Sequence, residues 1–352
     1  MSKAFRELLK KVGSGTHTSK DLTRSESAAA MRMMLLEEAT PAQIGAFLIA
    51  HRIKRPTPEE LAGMLDAYDQ LGPTLAADNM PWEQPVTVFG NPYDGRSRTA
   101  PVTPITALIL AAAQVPVILH GGNCMPTKYG VPLVEMYQGL GVDFTKVSLS
   151  QAQNLLATTG LSLIYLPHHF PLADKLVTYR DQIGKRPPLA TLELIWLPYL
   201  GKSHIIAGFV HPPTEDRFCQ TFKLRNIHHY TTVKGLEGSC DLPRSRTSII
   251  GTNKYPTPST WQRLHIHPRD YGFAAKDVPL ESTTVLVEKL QAIVAGKPIE
   301  LMQDAIWNGG FYLWHCGVCP DLSAGLAKAE EMLIQGQVKA KIQEMSQQIA
   351  SF

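Results

Sequence analysis

The feature that most restricts the fold is an alternation of apolar strand-like runs with helices, which begins after Pro85. The helical stretches include one that starts at Thr103-Pro104 and one capped by Ser148 and Gln151. Strands that alternate with helices pair in parallel within a covered sheet. The sequence therefore predicts an α/β domain with a central, mostly parallel sheet. Its predicted strands lie at 86–89, 115–119, 161–166, 204–210 and 228–233.

The chain before Pro85 follows a different pattern, in which one helix-start signal occurs three times. Thr23, Thr40 and Thr57 are each followed three residues later by Glu or Gln, and proline directly follows the second and third threonine. This is the capping box, in which the two side chains bind each other's backbone N–H groups. Gly72-Pro73 ends the third helix. The pattern predicts a small helical domain with short connections.

Composition indicates a globular protein. Of the 352 residues, 44% are hydrophobic and 18% are charged, which is enough apolar material for a large core. The longest apolar run, 105–119, is interrupted by Gln114 and Pro116, so we expect no membrane span. The amino terminus lacks the apolar region of a signal peptide, and the five cysteines are an odd count. We therefore expect reduced thiols and a cytoplasmic location.

Charge is unevenly distributed along the chain. The net charge is +3, but the segment 175–269 holds 14 Lys and Arg against 6 Asp and Glu, which gives +8 there and −5 elsewhere. A basic segment in an otherwise acidic chain indicates a polyanionic ligand, such as phosphates or nucleic acid. A solvated loop surface explains the same charges equally well.

Three loops are candidates for a binding site, because ligands of parallel sheets bind at the carboxyl ends of strands. They are loops 90–99, 120–130 and 234–246. Their glycines allow close backbone approach, and their arginines offer contacts to anions. Considered singly, each loop is more often an ordinary turn.

The order of these loops, together with the helices before them, resembles the anthranilate phosphoribosyltransferase family across almost the whole chain. Residues 22–54, "LTRSESAAAMRMMLLEEATPAQIGAFLIAHRIK", are similar to its first helices. The family's Gly-Thr-Gly-Gly-Asp-Gly loop corresponds to "GNPYDG" at 90–95, and its Lys-His-Gly-Asn loop to "LHGG" at 119–122. Residues 164–186 resemble its acceptor segment, and "VKGLEGSCD" at 233–241 resembles its acidic magnesium-binding stretch.

The resemblance implies a small helical domain beside a nucleoside phosphorylase/phosphoribosyltransferase-like α/β domain, with homodimers formed through the helical domain. It implies transfer of phosphoribosyl from phosphoribosyl pyrophosphate (PRPP) to an aromatic amine, the family's step in tryptophan biosynthesis. We expect the helical domain to span 1–78, joined by part of 165–190, and the α/β domain to span 79–352. The candidate donor-binding residues are Gly90, Asp94, Gly95 and Thr103, the acceptor-binding residues His120, Gly121 and Arg180, and the Mg²⁺ ligands Asp241 and Glu237.

Several donor-site positions depart from the family pattern. Pro92 offers no N–H and Tyr93 adds a ring where the family has small residues. Leu119 replaces a lysine, and Cys240 replaces one of two paired acids. Each lost donor to developing charge typically costs about 3 kcal/mol in the transition state. We therefore expect the family's transfer reaction to be altered or lost.

Two functions remain open from the sequence. The first is a phosphoribosyltransferase with a modified donor site. The second is non-catalytic binding of single-stranded DNA or RNA, which a branch of the family with similarly eroded motifs is associated with. In that case basic residues would follow an interdomain cleft, and Tyr93, Tyr129 and Trp196 are candidates for base stacking. The basic candidates are Arg52, Lys54, Arg55, Lys128, Lys185, Arg186, Lys202, Lys234, Arg244 and Arg246.

Overall fold

Four helices form the first unit of the chain. The structure, a computed structural model, describes residues 3–15, 17–77, 80–253 and 261–352, so the predicted domain boundary at 78/79 lies outside the described residues. All three predicted capping boxes are present, each with both of its hydrogen bonds. The helices are α1 (Lys3–Gly13), α2 (Arg24–Leu35), α3 (Pro41–Lys54) and α4 (Pro58–Leu71).

A seven-stranded sheet forms the centre of the second unit. Its strands are β2 (Val86–Gly90), β3 (Val117–Gly121), β4 (Leu161–Tyr165), β6 (Ser203–Gly208), β7 (Tyr230–Val233), β8 (Ser248–Asn253) and β9 (Gln262–Ile266). In space they run β4-β3-β2-β6-β7-β8-β9; the first five are parallel to one another, and β8 pairs antiparallel with both β7 and β9. The predicted mostly parallel sheet is thus confirmed. A separate parallel pair joins β1 (Leu75–Ala76) to β5 (Tyr199–Leu200).

Helices cover this sheet and make β2, β3 and β4 entirely buried. None of the described helices is long and apolar enough to cross a membrane. The helices that follow β2, β3, β6 and β9 are α5 (Thr103–Ala112), α6 (Leu133–Gly139), α7 (Leu149–Thr159), α12 (Pro212–Leu224), α13 (Thr283–Val294), α14 (Glu300–His315), α15 (Leu322–Ile334) and α16 (Gln337–Ala350).

The chain returns to the first unit after β4. The short helices there are α8 (Leu166–His169), α9 (Pro171–Asp174), α10 (Val177–Gln182) and α11 (Leu189–Leu192). Of these, α10 contacts α3 and α11 contacts α4. This returning segment carries Arg180 and Arg186 to the carboxyl end of the sheet, where both meet Asp94.

Candidate functional site

The three predicted loops meet at one edge of the sheet. The strands β3, β2, β6 and β7 are neighbours, so their carboxyl ends lie side by side. Gly90 is required there, because a Cβ atom at this position would lie 2.0 Å from the carbonyl oxygen of Leu194. The loops enclose a cavity of about 30 Å³, lined in part by Tyr93, Thr103 and His120. That volume holds a water molecule or two.

Tyr93 fills much of this site. Its hydroxyl lies 2.7 Å from Nδ1 of His120, and both side chains are buried. The edge of the Trp196 ring packs on His120, with centroids 5.2 Å apart. Burial lowers the pKa of His120 to about 3, so the imidazole is neutral at physiological pH. Of the aromatic candidates for base stacking, Tyr93 and Trp196 are therefore core residues, whereas Tyr129 is exposed.

Asp94 links the two units of the chain. Its carboxylate is fully buried and lies 3.3 Å from Nη2 of Arg180 and 3.2 Å from Nη2 of Arg186. Arg180 also binds Glu193 through Nη1, at 2.5 Å. Two carboxylates thus neutralise two guanidinium groups inside the protein. In this arrangement Arg180, the predicted acceptor contact, is bound to the protein's own acids.

Asp241 is likewise held by its own chain. One carboxylate oxygen forms a buried ion pair with Arg96 and accepts a hydrogen bond from the N–H of Val102, at 2.9 Å. The other accepts a hydrogen bond from Oγ1 of Thr103, at 2.8 Å. The predicted donor-binding Thr103 and the predicted metal ligand Asp241 therefore bind each other.

Glu237 occupies a backbone cradle made by residues 97–99. Its carboxylate accepts hydrogen bonds from the N–H groups of Ser97, Arg98 and Thr99, at 3.0–3.1 Å, and from Oγ1 of Thr99, at 2.9 Å. Burial alone would raise the pKa of Glu237, but these hydrogen bonds lower it to about 2. A carboxylate of the chain thus lies where three backbone N–H groups converge, an arrangement that suits a phosphate oxygen.

These two acids do not fit a Mg²⁺ site. Magnesium binds oxygen ligands in near-octahedral geometry, and a neighbouring cation opposes it. The oxygens of Asp241 already face the Arg96 guanidinium, and those of Glu237 face N–H groups. Among the residues that the structure describes, no three His, Cys, Asp or Glu side chains are grouped as a metal ion requires.

Lys128 connects the three loops through hydrogen bonds. Its ammonium group donates hydrogen bonds to the carbonyl oxygens of Gly95, at 3.1 Å, and Glu237, at 3.0 Å. Loop 120–130 is thereby joined to both other loops. Gly95 has φ +69°, and a Cβ atom there would lie 2.8 Å from the backbone of Gly130. The glycine and the lysine together allow the loops to pack closely.

A second and much larger cavity lies between the two units. We call it the arginine cleft, after Arg52, Arg55, Arg186 and Arg217, and its volume is about 700 Å³. The residues described in its lining include these four arginines and no carboxylate. Its remaining walls are largely proline and apolar side chains, among them Pro56, Pro187, Pro188, Leu194, Phe209, Pro212 and Pro213. Since Arg186 is paired with Asp94, the positive charge of the lining that no described carboxylate neutralises comes from Arg52, Arg55 and Arg217.

The structure brings three of the ten predicted basic residues, Arg52, Arg55 and Arg186, to this cleft. Three others lie elsewhere: Lys54 binds Asp21 and Glu60, Arg244 is buried against Glu300 and Asp304, and Lys202 lies at the amino end of β6. Lys128 has the contacts given above, and Lys185, Lys234 and Arg246 do not line the cleft.

Three important residues were missed by sequence reasoning. Arg96 and Glu193 neutralise predicted site residues, and Arg217 supplies one of the four arginines of the cleft. Arg96 carries a usable signal, because it directly follows the "GNPYDG" loop. The other two offer none, since each acts through packing that is distant in sequence.

Comparison with known proteins agrees with this geometry. A family model described as the glycosyl transferase family, helical bundle domain, matches residues 6–72. An anthranilate phosphoribosyltransferase of Polynucleobacter asymbioticus is 24% identical over 328 residues, which are 92% of this chain and 93% of the relative. An uncharacterized protein of Aquifex aeolicus is 28% identical over 317 residues, 88% of this chain and 93% of the relative.

Solved structures of anthranilate phosphoribosyltransferases share the fold of this chain. Anthranilate phosphoribosyltransferase from Saccharomyces cerevisiae in complex with PRPP and Mg superposes with a TM-score of 0.84 at 15% identity, over 100% of this chain and 99% of that chain. The enzyme from Thermus thermophilus gives 0.78 at 17% identity, over 99% and 100%. Along nearly its whole length, the chain is thus similar in sequence to anthranilate phosphoribosyltransferases and shares their fold, and its first helices match the helical bundle domain of the glycosyl transferase family.

Proposed function

We propose that this chain has lost phosphoribosyl transfer and binds single-stranded nucleic acid in the arginine cleft. The observation that carries the proposal is the contrast between two cavities. The cavity between the predicted donor-site loops measures about 30 Å³, whereas the arginine cleft measures about 700 Å³ and has no carboxylate in its described lining.

The small volume of the cavity and the lack of free hydrogen-bond donors around it both argue against PRPP binding. Small-molecule sites usually measure about 300–1,000 Å³, roughly ten times the remaining space or more. The groups that could bind a pyrophosphate are also occupied: the N–H of Tyr93 binds Glu193 at 3.1 Å, and Arg96 binds Asp241. Entry of the donor would require Tyr93 to leave its contact with His120 and these ion pairs to separate.

Charge argues for a polyanion in the cleft. Arg186 is paired with Asp94, but Arg52, Arg55 and Arg217 form no ion pair with a described carboxylate. Their positive charges repel one another, and an anion between them removes that repulsion. Guanidinium groups bind phosphate oxygens in a bidentate manner. The proline-rich walls offer few backbone N–H groups, so contacts to a strand would go mainly to its phosphates and to the faces of its bases. We therefore expect binding with little sequence preference.

Fluorescence anisotropy with a labelled oligothymidylate over a range of salt concentrations tests this proposal. We expect binding that weakens with salt, and Arg52→Gln should reduce the log–log slope by about 0.7, the value for one phosphate contact on a single strand. Lys202→Gln is the matched control, because this exposed cation lies at the opposite end of β6 and should bind like the unchanged protein.

Calorimetry with PRPP and Mg²⁺ tests the other part of the proposal, the loss of phosphoribosyl transfer. We expect no heat of binding and no product with anthranilate. Micromolar PRPP binding would overturn the loss of the donor site and favour a phosphoribosyltransferase with a rearranged loop. Oligonucleotide binding that is insensitive to salt, or equally weakened by Lys202→Gln, would overturn the assignment of the cleft.

A further inference from the structure

Two guanidinium groups in the arginine cleft lie close enough to oppose each other's charge. Burial lowers the pKa of Arg217, and the positive charge of Arg55 lowers it further. Neither residue forms an ion pair with a described carboxylate. The acids that precede Arg217 on α12, Glu215 and Asp216, line a different pocket. The pair thus carries two positive charges into the cleft without a counter-charge.

The backbone holds Arg55 in place at some cost. It ends α3 with φ +67°, a conformation that side chains rarely adopt and that favours glycine. Its N–H still binds the carbonyl oxygen of His51, at 3.0 Å, so the turn is well defined. Strained positions of this kind persist where the surrounding structure requires them, and they cluster at binding sites.

Arg217 is held from the other side by its own helix. Its Nη2 donates to Oγ1 of Thr214, at 3.3 Å, one turn earlier on α12. Its Nε is buried and has no hydrogen-bond partner among the described residues. A buried donor without a partner costs stability, so a ligand that accepts this N–H gains affinity.

We infer that Arg55 and Arg217 form a subsite for a phosphate monoester, the terminal phosphate of a bound strand. The strand itself rests on the proposed function above. A phosphate monoester carries a charge of about −1.5 to −2 at pH 7, whereas a phosphodiester within a strand carries −1. Two unneutralised guanidinium groups match the larger charge. A free nucleotide has the same phosphate chemistry as a strand end, so both sources are tested.

The experiment compares decathymidylates that carry a 5′-phosphate, a 3′-phosphate or neither, with thymidine monophosphate as competitor. We expect one phosphorylated end to bind about tenfold more tightly than the unphosphorylated strand, as for one additional charged hydrogen bond. Arg217→Gln should remove this preference, whereas Arg52→Gln should weaken all three strands alike. Competition at a similar concentration by the monophosphate would identify a free nucleotide as the ligand.

If Arg217→Gln folds poorly, Arg55→Gly provides a second test of the subsite. Glycine relieves the strained φ, so this variant should unfold at a higher temperature and still lose the preference for a phosphorylated end. Equal binding of all three strands by the unchanged protein would overturn the subsite and leave the proposed function intact. If no strand binds, the proposed function fails. Calorimetry with inorganic phosphate then decides the subsite: binding that Arg217→Gln abolishes supports it, and no binding overturns it.

Discussion

Replacing Glu237 with glutamine removes a negative charge that accepts hydrogen bonds from the backbone N–H groups of residues 97–99. The carboxylate is 4% exposed, and its pKa of about 2 lies well below the ordinary 4.5. A difference of this size between the folded and unfolded chain corresponds to about 3 kcal/mol of stability at neutral pH. For a chain of this length, we expect the midpoint of thermal unfolding to fall by about 4 °C.

The pH dependence of stability follows from the direction in which folding shifts the pKa of Glu237. Because the pKa of Glu237 is lower in the folded chain, its contribution is complete above about pH 4.5 and is lost as the pH falls towards 2. Urea unfolding followed by circular dichroism at pH 7, 4 and 3 measures it. The difference between the unchanged protein and Glu237→Gln should shrink steadily over that series.

Glu281→Gln provides the control for this measurement. Glu281 is exposed and pairs with Lys289 at 2.6 Å on the surface, so its loss should cost no more than about 1 kcal/mol. A Glu237→Gln protein as stable as the unchanged one at pH 7 would refute the reasoning. A difference that persists undiminished at pH 3 would refute it as well.

Three further predictions concern the same end of the sheet. Asp241→Asn leaves the buried Arg96 without its counter-charge and should destabilise the protein by about 3–5 kcal/mol, measured by urea unfolding; a loss below about 1 kcal/mol would contradict the ion pair. Gly90→Ala brings a methyl group against the carbonyl oxygen of Leu194 and should abolish soluble expression, so a normally stable variant would disprove that close approach. Millimolar Mg²⁺ should leave the thermal midpoint unchanged, because Asp241 is bound to Arg96; a rise would indicate a magnesium site.

Much of the fold was predictable because its signals are local. A capping box joins residues three apart, so Thr23, Thr40 and Thr57 mark helix starts whatever the rest of the chain does. Strand boundaries were less exact: the second predicted strand began at 115, whereas β3 starts at Val117, after Pro116. Strands β8 and β9 were both missed; β9 lies at the sheet edge, where most of its residues are exposed and form no apolar run.

The arrangement of the candidate site could not be read from the sequence in the same way. The partners of Asp241 and Glu237 lie 138 to 145 residues away along the chain, and only the sheet order brings them together. The sequence identified residue types suited to binding phosphate and magnesium. It could not reveal that these residues bind each other, since that depends on how three loops pack.

The mutual pairing at this edge of the sheet has an evolutionary consequence. Restoring glycine at Tyr93 alone would clear space but leave Arg96 bound to Asp241 and the 97–99 amides bound to Glu237. Removing either acid alone would leave a buried cation or a set of N–H groups without a partner, at a cost in stability. Each of these single substitutions towards a donor site is therefore neutral or destabilising. If the chain has lost phosphoribosyl transfer, as proposed above, this network opposes its recovery by one substitution at a time.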